Sequence, residues 1–89
     1  MNAKKEYITN LANNLIAKKR KMSGGDLALD LNNNGHRTNS NHTYVIGGRG
    51  VYRLLHATYD SLVSESRQGD ADNIANAFTD SYGNPAWNK

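Results

Sequence analysis

Nine side chains in this sequence have the chemistry to hold a polyanion: Lys18, Lys19, Arg20, Lys21, Arg37, Arg49, Tyr52, Arg53 and His56. Lysine and arginine neutralise phosphates, arginine through a planar fork of donors, while tyrosine and histidine add a hydrogen bond or a flat face. The cations belong to a basic front. Residues 1–56 hold nine Lys/Arg against three acids, a net of +6, and residues 57–89 hold two against five, a net of −3. Such an asymmetry fits a chain that docks on nucleic acid or on an acidic partner; it also fits an ordinary mixed surface.

The residues that catalysis would need do not assemble. Three histidines (36, 42 and 56) lack partners at a recognised metal-ligand spacing, so solvated or locally bonded imidazoles are expected. Asp26 and Asp30 share a helix face at i and i+4, with no acid, base or metal partner beside them, which reads as a solvated face. Cysteine is absent, so thiolate chemistry and cysteine-ligated zinc are excluded. No elbow motif surrounds any serine. Gly47-Gly48-Arg49-Gly50 allows close backbone approach at a helix start but matches neither phosphate-loop pattern. The expectation is a non-enzymatic protein with no cofactor, metal or small-molecule substrate.

Eighty-nine residues make one small domain, predicted to be an all-α bundle of about four helices over residues 1–89. Its core is limited, which leaves room for a partner or a homodimer. Lys4 to Lys21 is the clearest helix, with Tyr7, Ile8, Leu11, Ala12, Leu15 and Ile16 on one stripe. Lys18–Lys21 fall in its last turn, where each cation gains at most about 0.3–1 kcal/mol from the helix dipole. That structural role competes with a phosphate-contacting one. Ser23 or Asp26 caps a short helix over 25–33, whose Leu27, Ala28 and Leu31 must dock elsewhere, and Gly35 or Asn34 stops it.

Residues 36–47 form a long polar loop. Thr43-Tyr44-Val45-Ile46 is either a short extended segment or a loop with Tyr44 and Ile46 turned inward. A third helix over 48–67 buries Val51, Leu54, Leu55, Leu62 and a ring or methyl at Tyr59 or Thr58. A fourth over 70–81 carries Ala71, Ile74, Ala75 and Phe78. Trp87 either folds onto the core or serves as an exposed anchor.

Residues 26–55 carry Leu27-Ala28-x-x-Leu31-Asn32-x-x-Gly35-x-x-Thr38, then Tyr44, then Val51-x-x-Leu54-Leu55. This pattern resembles the helix-turn-helix segment of large serine recombinases, over about a third of the chain. The resemblance implies a DNA-contacting module, with Arg37, Arg49, Tyr52, Arg53 and His56 near the backbone or groove, and implies nothing about recombination. In general character the chain resembles small phage or mobile-element proteins: short, cysteine-free and rich in asparagine. Two functions follow as expectations. The first is DNA binding through the helix-turn-helix-like pair and a basic face. The second is inhibition of a host nucleic-acid-processing complex, of the anti-CRISPR or anti-restriction type, through the same surface. No stretch reads as a signal peptide or a membrane span, so the host cytoplasm is the expected location.

Overall fold

Helix α1 spans Ala3–Ala17 and opens where the Asn2 side chain accepts the Lys5 N–H at 2.9 Å. Its predicted stripe faces inward: Ile8 and Ala12 are fully buried, and Tyr7, Leu11, Leu15 and Ile16 pack around them. The computed structural model describes residues 2–80 and 82, and Trp87 lies outside the described residues. Three more helices follow: α2 (Gly24–Asn33), α3 (Gly50–Ser64) and α4 (Gln68–Ala77). Together they form the all-α bundle that the hydrophobic spacing predicts.

The central member is α4, which packs along both α1 and α3. Asn13 on α1 donates to Asp70 at 3.2 Å and accepts from Asn73 at 2.9 Å, and Lys21 reaches the Asn76 carbonyl at 3.0 Å. Contacts therefore advance together along both helices, so α1 and α4 run side by side in the same direction. Each ends in a two-residue extended piece, β1 (Met22–Ser23) and β2 (Phe78–Thr79). These pair in parallel, Met22 with Phe78 and Ser23 with Thr79.

That pairing corrects two boundaries. The first helix was expected to reach Lys21, yet it stops at Ala17. Lys19 adopts a left-handed φ of 55°, Arg20 N–H turns back to the Leu15 carbonyl at 2.8 Å, and the chain then extends to meet β2. Lys18 caps the helix and the rest of the cluster lies beyond it. The fourth helix was expected to reach 81, yet it ends at Ala77 because Phe78 is extended, with ψ of 141°. Phe78 remains fully buried, now from a strand. Residues 43–46 form no strand: Tyr44 turns inward, whereas Val45 and Ile46 stay exposed.

Local sequence accounts for both ends of α2. Ser23 Oγ accepts the Asp26 N–H at 3.1 Å and opens α2. Gly35, at φ 79°, closes it, with His36 N–H returning to the Leu31 carbonyl at 2.9 Å. Helix α3 is shorter than expected because Ser66 takes a φ of 61° and Arg67 N–H closes on the Leu62 carbonyl at 2.8 Å. Val51, Leu55 and Leu62 bury its inner face together with Thr58. The Thr58 hydroxyl donates to the Leu54 carbonyl at 2.7 Å, so its burial leaves no polar group unpaired.

Candidate nucleic-acid interface

The start of α1, the exposed stripe of α3 and the 37–44 loop enclose a groove of about 500 Å³. Along α3 the exposed positions Gly50, Arg53 and Ala57 recur at helical spacing, and all three line it. Lys4 and Lys5 come from the first turn of α1, and Thr38, Asn39 and Ser40 form a hydroxyl- and amide-bearing lip. Among the described residues, no aspartate or glutamate lines this groove.

Its lysines are fixed in position. Lys4 Nζ donates to the Arg37 carbonyl and to the Tyr44 hydroxyl, each at 2.7 Å. That ammonium lies 5.4 Å from the Tyr44 ring centroid. With the phenol oxygen as its near neighbour, it meets the ring at its edge, and the contact is a hydrogen bond rather than a stack on the π face. Lys5 Nζ donates to Ser61 Oγ at 2.9 Å. Arg53 is exposed, and its side chain makes no hydrogen bond or ion pair among the described residues. Both lysines stand at the positive end of α1, where each cation costs about 0.3–1 kcal/mol. Neither was among the candidate site residues. Two lysines in the opening turn of a helix, against its dipole, are the signal that could have found them.

The lip is tied by hydrogen bonds of its own. Thr38 N–H donates to the His42 carbonyl at 2.8 Å, and Asn41, with φ 64°, donates from its backbone to the Thr38 carbonyl at 2.9 Å. Behind the lip, Arg37 Nη1 donates to the carbonyls of Asn32 at 3.2 Å and His36 at 2.9 Å. Arg37 thus serves the carbonyl end of α2, where a cation is favoured.

Of the other sequence candidates, Arg53 alone lines the groove. Arg49 is exposed just before α3. Tyr52 packs on α2: a Cβ at Gly24 would lie 2.5 Å from its hydroxyl. His56 is half-buried and already partnered. Lys18, Lys19, Arg20 and Lys21 lie past the far end of α1, about 20 Å along the helix axis from Lys4 and Lys5. They do not line the groove.

Acid groups collect elsewhere. Arg67 binds Asp70 at 2.9 Å and Glu6 at 3.1 Å, with Glu65 at 3.9 Å. Hydrogen bonds to Asp70 and then Glu6 raise the pKa of Arg67. Asp30 is also engaged, contrary to the expected solvated face: it accepts from the Tyr7 hydroxyl and from Asn34 Nδ2. The Tyr7 phenol is pushed up to about 12, first by that hydrogen bond, then by burial and the carboxylate charge. The His36 ring lies against Tyr7, centroids 4.7 Å apart and planes tilted by 40°.

The fold and groove define a small helical protein with a preformed cationic cleft. Comparison with family models, curated proteins and solved structures gives no match. Among the described residues, no helix is long and apolar enough to cross a membrane, and no three acidic, histidine or cysteine side chains are grouped to hold a metal ion.

Proposed function

We propose that this chain is a non-enzymatic DNA-binding protein that approaches the phosphate backbone with the face carrying Lys4, Lys5 and Arg53. The observation that carries the reading is the acid-free groove, with two lysines anchored by hydrogen bonds and one arginine unengaged. Phosphate contacts of this kind supply affinity without reading sequence. The resemblance of residues 26–55 to a DNA-contacting segment points the same way. The link between α2 and α3 covers residues 34–49, longer than the three- or four-residue turn of the plain motif. The reading therefore rests on the groove and on the exposed Arg49 just before α3, rather than on a projecting recognition helix.

Fluorescence anisotropy with a labelled duplex at about 50 and 200 mM salt tests it, because each neutralised phosphate steepens the salt dependence. Binding at low salt that falls sharply at high salt supports DNA docking. Unchanged anisotropy at low salt removes it.

A second reading has its own observation. Val45 is 71% exposed, Ile46 58% and Leu29 44%. Ile46 lies against Gly25, one helical turn from Leu29, so an exposed apolar surface sits on α2. This is suited to a protein partner, such as a host nucleic-acid-processing complex that the chain would inhibit. Pull-down with and without nuclease separates the readings: a nuclease-resistant partner favours the second, a nuclease-sensitive one the first.

A further inference from the structure

The charge of the groove exceeds what one backbone phosphate can neutralise. We infer that the groove is a phosphomonoester site, for the group that ends a phosphorylated nucleic-acid strand and that a free nucleotide also carries. For the strand end, the inference rests on the DNA-binding reading above.

Among the described residues, three cations and no carboxylate line the groove. A bridging phosphodiester carries a single negative charge, whereas a monoester carries about −1.5 to −2 and offers three strong acceptor oxygens. The donor supply matches the monoester. An ammonium has three N–H donors and a guanidinium five. Lys4 uses two on Arg37 and Tyr44, leaving one; Lys5 uses one on Ser61, leaving two; Arg53 keeps its full set.

Shape agrees with charge. Gly50 and Ala57 keep the α3 wall low, and a volume of about 500 Å³ suits a nucleotide-sized group. Thr38 and Ser40 line the lip. Because hydrogen bonds already hold Lys4 and Lys5, little side-chain freedom remains to be lost on binding. An anion here also relieves the two lysines set against the α1 dipole.

The test uses the isotope-labelled full chain. Backbone amide shifts are followed during titration with deoxyadenosine monophosphate and with deoxyadenosine. Anisotropy then compares one duplex with phosphorylated ends and the same duplex with hydroxyl ends. The monophosphate is expected to move the amides of Lys4, Lys5, Ser40 and Arg53, while the nucleoside leaves them in place. The phosphorylated duplex is expected to bind about tenfold more tightly. Lys5→Gln and Arg53→Gln should each erase that preference with the amide spectrum otherwise intact. Arg53→Gln removes no internal bond, so it guards against a folding artefact.

Suppose instead that the duplex binds, its two end forms bind alike, and the monophosphate moves nothing. The groove inference is then overturned and the DNA reading stands. A monophosphate that binds in the groove, with no duplex binding at low salt, keeps the site, makes the free nucleotide its source and removes the DNA reading. No response in either experiment removes both.

Discussion

Asn32 grips Tyr44 by both sides of its backbone. The carboxamide oxygen accepts the Tyr44 N–H at 2.8 Å, and the carboxamide nitrogen donates to the Tyr44 carbonyl at 2.9 Å. A side chain here replaces the neighbouring strand that an extended residue would otherwise pair with. Tyr44 is thereby held inward at 5% exposure, and its hydroxyl receives Lys4. One asparagine at the end of α2 thus helps to position a lysine at the start of α1.

Asn32→Ala should cost about 1–3 kcal/mol, because it leaves two backbone groups of a buried residue without partners. Asn32→Asp keeps the acceptor but sets a carboxylate oxygen against the Tyr44 carbonyl, so its midpoint should also fall below that of the wild type. Urea denaturation of the three proteins checks the order. Equal midpoints for wild type and Asn32→Ala would show that the clamp contributes nothing.

Arg49→Ala combined with Arg53→Ala should abolish duplex binding while circular dichroism retains full helical content. Lys5→Gln with Arg53→Gln should lower the salt slope by about 0.9 for each lost phosphate contact. Lys18→Gln, Lys19→Gln and Arg20→Gln together should leave groove occupancy by a monophosphate unchanged, because those residues lie beyond the opposite end of α1. Anisotropy and amide shifts report the two effects separately.

Tyr7 gives a signed dependence on pH. Its folded pKa is raised to about 12 from 10.0, chiefly by donation to Asp30. Between those values the unfolded chain gives up a proton that the folded chain keeps. The stabilisation is therefore complete below pH 10 and is lost as pH rises through about 12. Thermal melts from pH 9 to 11.5 should show wild type losing more stability than Tyr7→Phe. Parallel profiles would count against the Tyr7–Asp30 bond.

Gly24→Ala should be destabilising by about 1–3 kcal/mol, the usual cost of overpacking. The new methyl would lie 2.5 Å from the Tyr52 hydroxyl and 2.6 Å from its Cζ. If the ring is the obstacle, Gly24→Ala combined with Tyr52→Ala should cost less than the sum of the single changes. Additive costs in a denaturation cycle would place the strain elsewhere.

Sequence reasoning reached the bundle because each long helix carries its apolar residues at a regular spacing. It reached the Ser23 cap and the Gly35 stop because those side chains do the local work themselves. The ends at Lys19 and Ser66 carry no such mark, since neither is a glycine and both take a left-handed turn where neighbouring elements receive the chain. Two residues of strand have no periodicity to read, so Met22 opposite Phe78 left no trace. In the site, Arg53 was legible as a cation on the third helix. Lys4 and Lys5 showed only their place against the helix dipole, because Tyr44, Ser61 and Arg53 come beside them from distant parts of the chain.

The parallel seam between Met22–Ser23 and Phe78–Thr79 also ties an early part of the chain to a part made much later. Helix α1 meets α4 and leaves its main packing surface bare until the last helix emerges. A growing chain that has completed only α1 to α3 therefore lacks the main cover for the inner stripe of α1, which comes from a helix far along the sequence.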